Sequence, residues 1–216
     1  MTGDILFKKL RRRLEESTDV NDTGANWSAD EKKDAFKIAL KAVSNTLADN
    51  YLSPLYKTIT ANSSTKSFGI SDILTSDSIL SVKVTYDSSV SHSAKYAEII
   101  NLKERSLRDN YYMQPTTYVP IAYLEDPDNT NGNTKVSIEP SDNISSVEFK
   151  VIQEPSDIED SNTYNYPLGD ETINALLYLA EGECWRIDNQ PNRAGIATQL
   201  GMAELQNLNG KYNPEL

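Results

Sequence analysis

The sequence predicts an α+β fold: a predominantly helical bundle of two N-terminal and two C-terminal helices, with a small antiparallel β-sheet insertion in the middle. Apolar residues recur at helical spacing in residues 1–56 and again in residues 159–216. In residues 57–158 they alternate with polar residues, which is the pattern of half-buried strands. We therefore expect the two helical parts to complete one bundle around a β-rich insertion.

The N-terminal part contains two predicted helices. The first covers residues 2–16, and its apolar stripe consists of Phe7, Leu10 and Leu14. The second begins at Ser28, because Ser28 and Glu31 have the spacing of a capping box, in which both side chains bind free amide groups at a helix start. Pro54 disfavours the helical conformation of the residue before it, so we extend the second helix to about residue 51.

The middle part contains three alternating runs. The first run consists of Leu80, Val82, Val84 and Tyr86, and the last consists of Val147, Phe149 and Val151. Between them, residues 121–124 and 135–138 flank Asn131-Gly132, a pair that accepts the backbone angles of a tight hairpin turn. Residues 97–109 could form a short helix laid across the sheet.

The C-terminal part predicts a helical hairpin. Asp170 can cap a helix whose apolar stripe consists of Ile173, Leu176, Leu177, Ala180, Cys184 and Ile187. A second helix begins near Asn192, with the larger apolar residues Ile196 and Leu200 beside small ones such as Ala194, Ala197 and Gly201. Gly182 costs about 1 kcal/mol relative to alanine inside a helix, so we expect the backbone of the second helix to pass close to it.

Composition excludes several classes of protein. The chain has 216 residues and a net charge of −11, which disfavours nonspecific wrapping of DNA or docking on an anionic membrane. No run approaches the roughly 20 apolar residues that span a bilayer, and the charged N-terminal segment does not resemble a signal peptide. We therefore expect synthesis in a cytoplasm and no membrane partner. One cysteine allows no internal disulfide.

Candidate catalytic residues are few. His92 is the only histidine, and it lies in a serine-rich stretch, so a solvated loop residue is favoured over a general base. Cys184 lies on the apolar stripe of its helix, where a buried and inert thiol is expected. Glu181 and Glu183 are two positions apart on the same helix and do not face one another, so both are interpreted as solvated. The sequence therefore predicts a protein that is not an enzyme, with no catalytic residue and no cofactor.

The acidic run in residues 125–132 resembles a calcium-binding loop, but its glycine falls one position late and its flanking segments look like strands. A polar hairpin tip is favoured, with a loosely held surface cation as the alternative, and no metal site is predicted. The residues that could make contacts at this tip are Asp126, Asp128, Asn131 and Gly132.

A basic cluster in the first helix stands out from the acidic background. It consists of Lys8, Lys9, Arg11, Arg12 and Arg13. A solvated helix face is the favoured interpretation, since charge runs usually have that role. The functional alternative is docking to an acidic partner surface or contact with DNA.

The order and spacing of several segments resemble those of the head-to-tail connector adaptors of tailed bacteriophages, also called neck or ring proteins. Residues 6–10 and 34–40 are similar to the opening pair of helices in that family. Residues 136–140 and 147–155 are similar to its strands that end in proline. The best match is in residues 176–188, 193–194 and 202–205, which are similar to its closing helical hairpin.

This resemblance implies a structural virion protein at the neck, which joins the capsid portal to the tail and extends the DNA channel. The implied partners are the portal protein, tail or further neck proteins, and like subunits in a ring of about twelve copies, because the ring continues the symmetry of the portal. DNA would pass through the ring without sequence recognition. The basic cluster would then contact the portal or a neighbouring subunit.

Three alternative functions remain open from the sequence. The first is a virion protein at a tail-completion or fibre-attachment position. The second is a cytoplasmic nucleic-acid-binding or regulatory module that uses the basic cluster, which predicts salt-dependent DNA binding. The third is a hydrolase that depends on His92, which predicts loss of activity in the His92→Ala variant.

Overall fold

The computed structural model describes residues 1–16, 26–62, 67–70, 73–74, 78–90, 94–100, 114–128 and 133–211. The chain divides into two compact units. One combines Met1–Leu55 with Pro155–Leu216 and carries the described helices. The other, Tyr56–Glu154, carries the strands.

The β unit contains a seven-stranded sheet. Its strands are β1 (Tyr56–Ala61), β2 (Ser67–Ile70), β3 (Ile79–Tyr86), β4 (Ala94–Ile100), β5 (Ile121–Asp128), β6 (Asn133–Glu139) and β7 (Ile144–Ile152). They are ordered β1-β7-β3-β4-β5-β6-β2, and the β4–β5 pair is parallel whereas the other pairs are antiparallel. The prediction of a predominantly helical bundle with a small antiparallel insertion is therefore wrong. The fold is α+β with a large mixed sheet.

The unpredicted strands β1, β2 and β4 explain this error. Strand prediction depends on a long buried face, but β1 has no buried residue and β2 has only four residues, of which two are buried. Of the seven residues in β4, only Ile100 is buried, so its alternation is weak. Residues 97–100, where a short helix was considered, belong to β4, and residues 101–109 lie outside the described residues.

The strands with a clear alternating pattern form as predicted. Their inward side chains build the core of the β unit, which includes Val82, Val84, Tyr86, Val147, Phe149 and Val151. The β5–β6 hairpin also forms, with Leu124 opposite Val136. Leu80 departs from the prediction, because a register shift between Ile79 and Ser81 buries Ile79 and leaves Leu80 half-buried.

The helical unit contains five α-helices in its described residues. They are α1 (Gly3–Arg13), α2 (Ala29–Thr46), α3 (Asp49–Leu52), α4 (Ile173–Ile187) and α5 (Pro191–Gly210). The stripe of α1 is buried as predicted, and α4 packs against α1, α2 and α5. The central position of α4 explains why its residues are apolar on more than one side.

Two helix starts differ in how well the sequence predicted them. The capping box at α2 is confirmed: Ser28 Oγ accepts from the Glu31 amide at 3.1 Å, and Glu31 Oε2 accepts from the Ser28 amide at 2.7 Å. The predicted cap at Asp170 is wrong. Asp170 begins a short 3₁₀ turn, makes no capping hydrogen bond and lies 3.6 Å from the amino group of Met1.

Two further predictions also fail: Ile187 at the end of α4 is exposed, and α2 ends at Thr46, short of residue 51.

The hairpin of α4 and α5 packs through its small residues. Gly182 lies against α5 as predicted, since a Cβ atom there would lie 3.3 Å from the Ala194 carbonyl oxygen. Ala194, Ala197 and Gly201 are buried, whereas Ile196 and Leu200 are exposed. Ile196 and Leu200 therefore face solvent, whereas Leu205 and Leu208 of the same helix are buried.

Candidate functional site

One face of α4 forms one side of the candidate site. Tyr178, Glu181 and Trp185 are at i, i+3 and i+7, so their side chains lie along one side of the helix. The two carboxylate oxygens of Glu181 accept different donors, Trp185 Nε1 at 3.3 Å and an Arg13 guanidinium nitrogen at 3.4 Å. Only 18% of the Glu181 side chain is exposed. Because both oxygens are engaged, this carboxylate is held as a structural acceptor, and its interpretation as a solvated residue is wrong.

Two guanidinium groups cover the aromatic rings of this face. Arg13, from the end of α1, lies with Cζ 3.9 Å from the ring centroid of Tyr178. Arg193, from the start of α5, lies with Cζ 4.6 Å from the ring of Trp185. Each contact of this kind stabilises by about 0.5–1 kcal/mol at an exposed site. Both arginines are therefore held in place before any partner arrives.

An open pocket of about 230 Å³ lies among these groups, and it also contacts Glu15, Ile196, Ala197 and Leu200. Ile196 is 62% exposed and Leu200 is 45% exposed, so the α5 side of the pocket is apolar and accessible. The pocket is smaller than the roughly 300–1,000 Å³ sites that hold drug-sized ligands. It is suited to an apolar side chain from another protein surface.

The charges around the pocket balance. Two arginines, Arg13 and Arg193, are matched by two glutamates, Glu15 and Glu181. Phosphate recognition depends on an excess of positive charge, and this pocket does not supply one. The lining of the pocket therefore lacks the net positive charge that phosphate binding requires.

The base of the site is fixed by a buried group of polar contacts. Lys32 Nζ lies 2.6 Å from Glu16 Oε2, and the side chains are 2% and 3% exposed, respectively. Lys32 also donates to the Trp27 carbonyl oxygen at 2.7 Å, and Glu16 accepts from the Trp27 amide at 3.1 Å. The Trp27 ring packs edge-on against Trp185, with centroids 4.9 Å apart. These contacts hold the start of α2 against the face of α4 that carries the pocket.

Cys184 is buried next to this group, and burial raises the pKa of its thiol to about 12. The thiol therefore stays protonated at neutral pH and lacks the thiolate that a nucleophile needs. Trp27 Nε1 donates to the Cys184 carbonyl oxygen at 2.8 Å, so the main chain of this residue supports the packing of Trp27. The burial predicted for Cys184 is confirmed.

The basic cluster of α1 is largely used within the helical unit. Lys8 lies 3.6 Å from Asp4, Arg11 lies 3.2 Å from Asp160, and Arg13 binds Glu181 as described above. Within the described part of the chain, Lys9 and Arg12 have no carboxylate partner within 4.0 Å, and Arg12 is exposed. Arg12 is thus the member of the cluster best placed to meet another molecule.

Other residues singled out in the sequence cannot be placed in a site. His92, Asn131 and Gly132 lie outside the described residues. Asp126 and Asp128 lie in β5, and their side chains are also outside the described set. In the part of the chain that the structure describes, no group of three or more His, Cys, Asp or Glu side chains could hold a metal ion.

Most of this site is not evident from the sequence. The row formed by Tyr178, Glu181 and Trp185 was a usable signal, because aromatic and acidic residues at helical spacing flank the apolar stripe. The arginines come from helices far away in the sequence, so no local pattern links them to that row.

No protein-family model matches this chain, and no curated protein matches it. None of the described helices combines the length and apolarity that crossing a membrane requires.

Proposed function

We propose that this chain is a structural subunit of a phage neck ring, a head-to-tail adaptor that connects the portal to the tail. The observation that carries the proposal is the surface of α5, where Ile196 and Leu200 lie exposed beside an open pocket. Exposed apolar groups next to a pocket are typical of protein interaction sites. Such a surface is what a subunit packed between like neighbours requires.

The polar groups of the pocket also favour binding over catalysis. Glu181 is engaged by Arg13 and Trp185, and Arg13 and Arg193 are stacked on rings. General acid–base catalysis requires a group that can reach the proton it transfers, and both oxygens of the Glu181 carboxylate are already occupied by donors. The sequence resemblance to head-to-tail adaptors adds the specific position at the neck, with the portal, tail proteins and passing DNA as partners.

Co-sedimentation of the purified protein with the portal ring of the same virus, followed by electron microscopy, tests this proposal. We expect an additional ring with the symmetry of the portal, about twelve copies. If the protein does not bind the portal but is present in purified virions, a tail-completion or fibre-attachment position replaces the neck assignment. Absence from virions would contradict both structural roles, and salt-dependent DNA binding would then test the regulatory module.

The same assay tests the contact of α1 with the portal. Arg12→Glu reverses an exposed charge and should weaken portal binding, whereas Lys57→Glu, an exposed position of β1, serves as the matched control. Arg11 and Arg13 are unsuitable for this purpose because their ion pairs belong to the fold of the helical unit. Equal portal binding by the Arg12 variant and the control would remove α1 from the portal interface.

A further inference from the structure

The pocket has two features that a partner must satisfy. Its apolar side, Ile196 and Leu200, requires an apolar side chain. Arg193 is held over Trp185 and has no carboxylate partner within 4.0 Å among the described residues, so it offers a preformed site for an acidic group. A matching surface therefore needs one apolar residue with a carboxylate close to it.

The outward face of α2 carries this combination. Ile38 is 51% exposed although it is a large apolar residue, and Asp34, one turn earlier, is also exposed. The opposite side of α2 is buried through Ala35, Ala39 and Val43, so this outer face is turned away from its own core. Positions i and i+4 are neighbours on a helix surface, which places the Asp34 carboxylate beside the Ile38 side chain.

The remaining charges of α2 are also compatible with the pocket. Lys33, Lys37 and Lys41 are exposed in a row beside Asp34 and Ile38, and Lys37 is paired with Asp157 at 2.9 Å. The outer face of α2 therefore has mixed charge, as the pocket has. In addition to Arg193, the pocket has Glu15, an exposed carboxylate that can face a lysine of this row.

The two surfaces lie on different parts of one helical unit. The pocket is lined by residues of α4, α5 and the segment at the end of α1, and none of its lining residues belongs to α2. A contact between two different surfaces of identical chains is heterologous, and its repetition closes into a ring when the rotation allows. An α2-to-pocket contact is therefore the kind of contact that a ring subunit needs.

We propose that α2 of one copy binds the pocket of the next copy, with Ile38 packed against Ile196 and Leu200 and with Asp34 paired with Arg193. This inference rests on the proposed ring and names the partner of the pocket. Every copy carries both surfaces, so each copy can bind one neighbour through α2 and another through the pocket.

Cysteine cross-linking between copies tests the contact. Cys184 is buried, so introduced surface cysteines react with little background. A mixture of full-length Ile38→Cys and Leu200→Cys chains, one carrying a tag, should give a disulfide-linked dimer that contains one chain of each kind. Each variant alone should give only background, because a heterologous contact does not bring identical positions together. Ile5→Cys mixed with Leu200→Cys is the control, as Ile5 is also exposed on the helical unit.

Charge exchange gives an independent measurement. Asp34→Arg and Arg193→Asp should each weaken self-association by about tenfold, because each places like charges together, and the combination should restore much of it. Asp142→Arg, on an exposed turn of the β unit, should leave association unchanged. Sedimentation velocity measures all four variants.

The outcomes separate this inference from the proposed function. Cross-linking performed also on portal-bound protein or on virions decides the contact even if free chains stay monomeric. If a ring forms on the portal but the mixed cysteine pair reacts no better than the control, the α2-to-pocket contact is wrong and the adaptor role stands. If the pair reacts but the protein does not bind the portal, the contact stands and the adaptor role fails. Capture of Leu200→Cys by a different virion protein assigns the pocket to that protein and overturns the inference.

Discussion

Two glycines allow α4 and α5 to pack closely, and they differ in context from a third glycine on the same hairpin. A Cβ atom on Gly201 would lie 2.8 Å from Leu179 Cγ, which is closer than real Cβ atoms approach. A Cβ atom on Gly182 would lie 2.8 Å from Thr198 Oγ1. At Gly195 a Cβ atom would have no other heavy atom within 4 Å. The hairpin thus contains a test position and its own control.

Gly201→Ala should lower the free energy of unfolding by about 1–2 kcal/mol, because overpacking outweighs the better helix propensity of alanine. Gly195→Ala should raise it by about 0.5–1 kcal/mol, since only the propensity term remains. Urea unfolding followed by tryptophan fluorescence measures both, because Trp27 and Trp185 are the only tryptophans and both lie in the helical unit. Stabilisation by both substitutions would contradict the close approach of the two helices.

The buried pair of Lys32 and Glu16 makes a second prediction at this scale. Lys32→Met should lower the free energy of unfolding by about 3–5 kcal/mol, because it leaves the Glu16 carboxylate buried without its counter-charge. The double variant Lys32→Met/Glu16→Gln should lose less than Lys32→Met alone, since no unpaired charge remains. Lys33→Met, one position away and exposed, is the control and should change stability by less than about 0.5 kcal/mol. A double variant that is less stable than the single variant would contradict this account.

Buried acidic groups make stability depend on alkaline pH. Burial raises the pKa of the Cys184 thiol from 9.0 to about 12 and that of the Tyr86 hydroxyl from 10.0 to about 12, and it also raises the pKa of Tyr166. The folded state therefore holds these protons more tightly than the unfolded chain does. Their contribution to stability is complete below the unfolded pKa values and is lost as the pH rises towards the folded values.

We expect urea midpoints to fall between about pH 8 and about pH 11. Tyr86→Phe should make the decline shallower for the β unit, observed by circular dichroism in the strand region. Tyr118→Phe, which changes an exposed tyrosine, is the matched control. A midpoint that does not change over this pH range would show that these groups do not limit alkaline stability.

At the scale of elements, the end of α2 depends on one side chain from α5. Asn209 Oδ1 accepts from the Ala48 amide at 2.9 Å, and Asn209 Nδ2 donates to the Thr46 carbonyl oxygen at 2.8 Å. These two bonds replace the helical bonds that a continuous helix to residue 51 would make. The chain therefore turns at Leu47 and Ala48 before the short helix α3 begins.

Asn209→Ala should lower the free energy of unfolding by about 1–3 kcal/mol, because two partly buried backbone groups lose their partners. Asn209→Asp keeps an acceptor for the Ala48 amide and should lose less. Asn207→Ala, two positions earlier on α5 and exposed, should have little effect. Chemical unfolding of the three variants measures these differences, and equal losses at Asn209 and Asn207 would contradict the bridging role.

The buried face of α5 also belongs to this scale. An amphipathic helix usually buries its larger apolar residues, and this rule would place Ile196 and Leu200 in the core. In the helical unit, Ala194, Ala197 and Gly201 face α4, because small residues allow the closest packing of the two helices. The exposed apolar surface of the candidate site is a direct result of this arrangement.

At the scale of the whole molecule, the chain enters and leaves the β unit at positions that are neighbours in the sheet. Tyr56 at the start of β1 is opposite Ile152 at the end of β7. Residues paired across antiparallel strands have Cα atoms about 5 Å apart, so a short linker can span this gap. The helical unit is therefore accessible to study without the sheet.

Replacement of residues 57–151 by a short Gly-Ser linker should leave a helical protein that unfolds cooperatively. Its core is internal to the unit, including Phe7 against Phe36 and Trp27 against Trp185. Circular dichroism and tryptophan fluorescence during thermal unfolding measure this, with the full chain as the reference. A helical unit that lacks a cooperative transition would show that it depends on the β unit for stability.

The sequence by itself determined the features that depend on residues a few positions apart. The capping box at Ser28, the strand patterns at Val82 and Phe149 and the stripe of α4 from Ile173 to Cys184 were correct, because each is encoded within one or two turns or strand repeats. The close approach at Gly182 was also correct, since an unfavourable glycine in a long helix has a local cost that requires a reason.

Only the tertiary structure decided the size of the sheet, the exposed face of α5 and the candidate site. These features depend on partners far apart in the chain: Arg13 meets Glu181 across 168 positions, and Asn209 reaches Thr46 across 163. An edge strand such as β1 has little burial pattern of its own, and it is defined by the hydrogen bonds that β7 supplies. Local sequence patterns indicate which side of an element can be buried, whereas contact with the packed partner determines which side is buried.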